Sequence, residues 1–163
     1  MKRSVITILL AVFFMTSLNS CVKESDTDAG GTATQAMSGE WWIQVGVNNE
    51  LIAPDFFKIL TYNTSENVNN KMWIDDQESF WTFKVKMDVN PADKTFSTTA
   101  SENTYYDITV TLKNGKIIPG ASIGPNSKAV TDSIYVEAEF SDDPGTIYQL
   151  AGYRRTRFTE DDH

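Results

Sequence analysis

One cysteine and one histidine in 163 residues exclude more than any motif present includes. A single thiol cannot close an intramolecular disulfide, so stability has to come from packing. The histidine is His163, the last residue of the sequence, where chain ends fray; a Ser-His-Asp or Cys-His constellation would have to take its base from there. Structural zinc lacks ligands, no Gly-rich phosphate loop is present, and no cofactor is expected. His163 with Glu160, Asp161 and Asp162 reads as a solvated acidic end rather than a cation site. Basic residues are scarce too: 14 Lys and Arg stand against 22 Asp and Glu, a net charge of −8. That balance repels phosphate backbones and argues against nucleic acid as a partner. Long apolar runs are missing as well. The run Val5 to Met15 has 11 residues, whereas a helix crossing a bilayer needs about 20.

What is there begins with an address. Lys2 and Arg3, the short apolar run and Leu18-Asn19-Ser20-Cys21 follow one another in secretory order. A Leu three residues before a cysteine and a small residue just before it are the pattern of a bacterial lipoprotein box. The expectation is a signal peptide over residues 1–20 and diacylation of Cys21, which would hold the chain on a membrane as an outer-membrane lipoprotein. The alternative is an ordinary cleaved signal that leaves a free thiol. Cleavage before Cys21 leaves 143 of 163 residues, with 12 basic residues once Lys2 and Arg3 are gone, against the same 22 acidic ones. A chain of that length is one domain with a sizeable core. Residues 21–37 carry Ser, Thr, Asp, Gly, Ala and Gln with little to bury, and are expected to form a flexible tether.

Beyond the tether the dominant period is two, the mark of half-buried strands. In Gly39 to Val47 one face collects Trp41, Ile43, Val45 and Val47, with Trp42 on the other. From Phe80 to Val89 the apolar face holds Trp81, Phe83, Val85, Met87 and Val89. Tyr106, Ile108, Val110 and Leu112 repeat the pattern, after which Asn114-Gly115 predicts a hairpin turn. Ile134, Val136, Ala138 and Phe140 do so again. Weaker strands are expected at residues 56–62, 71–75, 95–99, 116–118 and 147–158. The spacing predicts an all-β domain over residues 38–160, an antiparallel up-and-down barrel of about eight strands, with a sandwich as the alternative.

Catalytic acids would have to come from carboxylate pairs. Glu137 and Glu139 share a face, but it is the face opposite Ile134, Val136 and Phe140, so both are expected in solvent. Asp75-Asp76 reads as a turn, or as the rim of a pocket. The aromatics are the richer signal, with four Trp, six Tyr and nine Phe. They either fill the barrel or line a cavity within it. Trp42 and Trp73, on faces expected to be exposed, either stack on sugars or pack.

Several of these blocks, in order, resemble a known family. Gly39-Glu40-Trp41-Trp42, Met72-Trp73-Ile74-Asp75-Asp76, Phe80-Trp81-Thr82-Phe83, Asp142-Asp143-Pro144-Gly145 and Gly152-Tyr153-Arg154-Arg155 are similar to the small Bacteroidetes lipoproteins described as lipid-binding putative hydrolases. The resemblance implies a lipocalin-like barrel and a hydrophobic ligand. In such barrels a Gly-x-Trp on the first strand packs against an Arg on the last, which implies Gly39 and Trp41 beneath Arg154 or Arg155. Lys23-Glu24-Ser25-Asp26 resembles the export signal of surface-exposed lipoproteins in the same group, and Asp132-Ser133-Ile134 resembles its O-glycosylation site, at Ser133. The hydrolase half of the description finds no catalytic constellation in these residues. The leading expectation is a membrane-held barrel binding a small apolar molecule, lined by Trp41, Trp81, Phe83, Tyr106, Ile108 and Val136. The second is a glycan-binding or scaffold subunit working with outer-membrane proteins of a nutrient-uptake system.

Overall fold

The computed structural model describes residues 30–163; the expected signal peptide and Cys21 lie outside the described residues. Nine strands follow in chain order: β1 Gly39–Val47, β2 Glu50–Leu51, β3 Phe57–Asn63, β4 Lys71–Asp75, β5 Lys84–Asn90, β6 Thr95–Glu102, β7 Thr109–Ile123, β8 Val130–Phe140 and β9 Tyr148–Arg154. All neighbours are antiparallel. Seven consecutive pairs from β1 on, skipping the two-residue β2, form the wall, and β1 pairs back with β9 from Trp41↔Arg154 to Val47↔Tyr148. The result is a closed eight-stranded up-and-down barrel, with β2 folded back on the end of β1. Closure removes every long open edge, which is how a sheet of alternating strands avoids pairing with another copy.

Alternation decides the interior. Along β5 the buried residues are Val85, Met87 and Val89, and along β8 they are Ile134, Val136, Ala138 and Phe140, each separated by a more exposed neighbour. These join Trp41, Ile43, Val45, Ile59, Met72 and Ile74 from β1, β3 and β4 in one continuous apolar cluster. Side chains therefore occupy the interior, the first of the two outcomes open from sequence.

Three expected boundaries move. Asn114-Gly115 is not a hairpin turn: β7 runs straight through it for 15 residues with a register shift between Lys113 and Lys116. Asn114 takes φ 55°, and a Cβ on Gly115 would meet the Phe96 ring at 2.4 Å, so the pair makes a bulge where two strands approach closely. Residues 80–83 lie in the loop before β5 rather than in the strand. Residues 31–37, expected as the last part of the tether, pack onto the barrel. Gln35–Met37 form one 3-10 turn, and Met37, an apolar residue within a polar run, is fully buried.

Candidate functional site

The strand directions give the barrel two ends. At one end lie the start of β1 and the end of β9, together with the turn that carries Met37. Trp41 is fully buried here. Its indole N–H donates to Thr61 Oγ1 at 2.9 Å, and the Thr61 hydroxyl donates to the Met37 carbonyl at 2.7 Å. Arg154 lies over the indole, with Cζ 4.8 Å from the ring centroid. A Cβ on Gly39 would stand 3.4 Å from that guanidinium, so the glycine leaves the space that the arginine fills. Of the two arginines implied by the family resemblance, Arg154 covers the indole, and its Nε stands 3.2 Å from Asp132. Arg155 turns instead to Glu40 at 2.8 Å and Asp162 at 2.5 Å.

The opposite end is the mouth, framed by the β4–β5, β6–β7 and β8–β9 loops and by the β2 turn. Rings roof it. Phe80 touches Phe57, Tyr148 and Phe140, with centroids 5.5, 5.6 and 6.2 Å away. Trp81 stacks on Phe140 at 4.5 Å and 11°. Phe80 and Trp81 are half-buried, while Phe83 and Phe140 beneath them are fully buried.

A single carboxylate holds this roof in place. Asp76 is fully buried and accepts five backbone N–H groups: Glu78 and Phe83 on Oδ1, at 3.0 and 2.8 Å, and Phe80, Trp81 and Thr82 on Oδ2, at 3.2, 2.7 and 2.8 Å. The loop bends tightly enough to put Gln77, Glu78 and Thr82 at φ between 50° and 60°. Positive φ costs about 1–3 kcal/mol at a non-glycine residue, and hydrogen bonds to a charged acceptor offset it at about 1.5–3 kcal/mol each. A carboxylate offers about four lone-pair sites, so the five N–H groups fill the acceptor capacity of Asp76. Its neighbour Asp75 is likewise engaged, accepting from the Tyr62 and Tyr105 hydroxyls at 2.8 Å each. Asp75-Asp76 is thus neither a plain turn nor an exposed rim.

Asp142, on the β8–β9 loop, accepts the Trp81 indole N–H at 3.2 Å and the Tyr106 hydroxyl at 2.8 Å. Tyr148 donates to Asp143 at 2.7 Å. Burial first, and then that hydrogen bond, push the Tyr148 phenol up to about 12. The Tyr106 phenol is raised for the same two reasons, burial and the Asp142 carboxylate.

Of the six lining residues expected from sequence, Trp41, Phe83, Ile108 and Val136 point inward and are buried, and Trp81 sits half-buried at the mouth. Tyr106 does not line the interior. It precedes β7 in the turn after β6, is 40% exposed, and sends its hydroxyl out to Asp142; strand alternation does not extend into a turn. Trp42 is not exposed either. It is 8% accessible, covered from outside by residues 162–163: Asp162 accepts its indole N–H at 3.4 Å and His163 meets it edge-on at 5.4 Å. His163, though exposed, stacks its ring on Phe56 at 4.0 Å. Trp73 lies between the ammonium groups of Lys84 and Lys86, at 5.3 and 5.2 Å.

Glu137 and Glu139 lie on the outer face, as alternation requires, bound to Asn114 at 2.8 Å and near Lys113 at 3.7 Å. Ser133 is outside and half-buried on β8. Among the described residues, no group of three or more His, Cys, Asp or Glu side chains converges to hold a metal ion.

The functional residues that sequence reasoning missed are Asp76 as a clamp and Phe80 as part of the roof. An Asp ahead of a Ser-Phe-Trp-Thr loop was the available signal. No curated protein matches the chain. A family model matches residues 26–159, which spans the whole barrel from β1 to β9. The chain therefore belongs to the lipid-binding putative hydrolase family.

Proposed function

We propose that the chain is a cell-envelope lipoprotein, anchored in the outer membrane through lipid on Cys21, whose barrel takes a small apolar ligand such as an acyl chain at the mouth roofed by Phe80 and Trp81. The observation that carries this reading is the difference between roof and floor of the mouth. The floor is buried Phe83 and Phe140, and the roof is two half-buried rings on a loop. Swinging Trp81 outward breaks its ring contacts with Phe140, Tyr148 and Phe80, centroids 4.5, 4.9 and 5.5 Å away, and one exposed hydrogen bond, on the order of 2–6 kcal/mol in all. The space it leaves is walled by Phe80, Phe140 and Tyr148, an apolar slot above the buried core. A membership in a lipid-binding family and a closed barrel agree with that use. The second expectation loses Trp42 as a stacking face, because residues 162–163 cover it. Trp73 is half-buried beside an open hollow of about 460 Å³, with the Lys84 and Lys86 ammonium groups 5.3 and 5.2 Å from its ring.

The test uses the full-length chain with Cys21→Ser, so that any lipid detected belongs to the barrel rather than to the anchor. Native mass spectrometry of this variant from its own host is expected to find an acyl-chain adduct. A fluorescent fatty acid should bind it saturably and associate several-fold faster when Trp81→Ala removes the roof. An adduct-free protein that shows no saturable binding with Trp81 or with Ala in its place would end this reading.

A further inference from the structure

Outside the barrel, strand register lines up two lateral rows of side chains that the apolar ligand does not use. One row runs Asn90, Thr95, Lys116, Tyr135, Ala151, Gln44, each the registered partner of the next on the neighbouring strand. It crosses six strands, roughly 24 Å along the surface at about 4.8 Å per strand. The adjacent row holds Asp88 opposite Ser97 and Glu137 opposite Gln149, which in turn faces Gly46. Between Ser97 and Glu137 the row is interrupted by the β7 bulge.

The interruption makes an open groove of about 850 Å³, with Gly115 in its lining, Asp88 and Ser97 on one side and Tyr135 and Glu137 on the other. A second hollow of about 280 Å³ lies beyond Tyr135, over Gly46 and Ala151. Tyr135 lines both, so its half-buried ring forms the ridge between them. Lys116 Nζ stands over the ring at 5.6 Å. Toward the smaller hollow, Ala151 and Gly46 have too little side chain to cover it.

Planar polar groups flank the ring on both sides and are already oriented. The Glu137 carboxylate accepts the Tyr135 hydroxyl at 3.0 Å and the Asn114 amide at 2.8 Å, which leaves about two of its four acceptor sites free. The Gln149 amide is locked in a reciprocal pair with Asn49, 2.9 Å in each direction. An aromatic ridge between a fixed carboxylate and fixed amides matches a molecule that has an apolar C–H face and a rim of hydroxyls. Each such hydroxyl both donates and accepts, and neighbouring hydroxyls bridge a planar carboxylate or amide. Asp88 is paired with Lys71 at 2.5 Å, so Glu137 and Glu50 stand against Lys116 in the lining and offer no net attraction to an anion. Polar and apolar groups share the lining, as the rim and the C–H face of a sugar require.

We propose that this outer groove, centred on Tyr135, binds a neutral oligosaccharide. The groove lies on the outer wall, and its smaller hollow reaches Asn49 and Glu50 of the turn that also frames the mouth.

The experiment titrates the full-length Cys21→Ser protein with maltohexaose, cellohexaose, xylohexaose and mannohexaose, following backbone amide shifts by NMR. At least one is expected to bind at about millimolar affinity or better, with the largest shifts at Tyr135, Glu137 and Gln149. Tyr135→Ala should weaken it about tenfold. Glu137→Gln, which keeps the shape of the side chain, should weaken it several-fold without changing the melting midpoint. Trp81→Ala should leave it unaltered, so a failure of the mouth and a failure of the groove are read separately. Absence of saturable shifts with all four sugars would overturn the proposal. So would binding indifferent to Tyr135→Ala, or a preference of the same residues for a polyanionic saccharide.

Discussion

The two ends of the barrel are both shut, but by different physics. At the Trp41 end the seal is made of groups that point inward from the wall itself. An indole is fully buried on β1, bonded to a threonine on β3 and covered by an arginine on β9. Opening it would unpair strands. At the mouth the seal is a loop, and its rings rest on the core without belonging to a strand. Opening it costs ring contacts and leaves the ladder whole. On the proposed function the mouth is the end by which a ligand enters, and the loop that closes it is held by Asp76.

The largest expected effect breaks the Trp41 end. Trp41→Ala removes the biggest core side chain at barrel closure and should cost about 3–5 kcal/mol, read as a fall in the urea midpoint. A variant that unfolds where the parent does would mean that the indole is not a closure element.

Next comes the mouth. Asp76→Ala strands five backbone N–H groups and releases a loop held at positive φ. The loop can rehydrate, so the expected cost is about 3 kcal/mol rather than the sum of five bonds. The two ends should separate in amide exchange. Residues 77–83 should lose protection while β1 and β9 keep theirs; uniform loss across the barrel would make Asp76 a general core residue.

The smallest effect concerns residues 155–163 beside the Trp41 end. Burial alone would raise the Asp161 pKa, but the Ser127 and Thr156 hydroxyls and the backbone N–H groups of Ser127 and Asn126 win, holding the carboxyl well below the usual range. The Arg155 guanidinium does the same for Asp162. Because the folded values lie below the unfolded carboxylate value of about 3.9, this docking is fully stabilised above that pH. It is lost as the pH falls through the folded values. Exchange protection of Asn126 and Ser127 should therefore hold at neutral pH and drop in acid, before the strand core responds. Asp161→Asn should lower that protection at neutral pH and flatten its acid dependence. Protection that stays constant into strong acid would remove the carboxylates from this role.

Much of the wall was legible. Gly39–Val47 and Lys71–Asp75 match the expected bounds, and Val85, Met87, Val110 and Val136 face inward where alternation put them. Period two works there because one side of each strand meets the core and the other meets water. It fails at Tyr106 and at Phe80 to Phe83, where a loop has no pleat to obey. It fails at Asn114-Gly115, because the same dipeptide suits a hairpin turn and a bulge, and the partner strands choose. It also fails at Trp42, whose outer face is covered by residues about 120 positions away.

By itself the sequence determined an all-β domain, its inward face and the lack of an intramolecular disulfide among these residues, while family resemblance implied a barrel closed by Trp41 beneath Arg154 or Arg155. These follow from short-range periodicity, from composition and from blocks that recur in order. The tertiary structure alone decided what the interior contains, which end is closed by a loop, and which polar side chains meet across strands. Asp76 reads as a turn residue until the loop folds around it, and Tyr135 as one outward residue among many until register sets it between Gly115 and Gly46. Both depend on distances between residues far apart in the chain, and one-dimensional spacing carries no information about them.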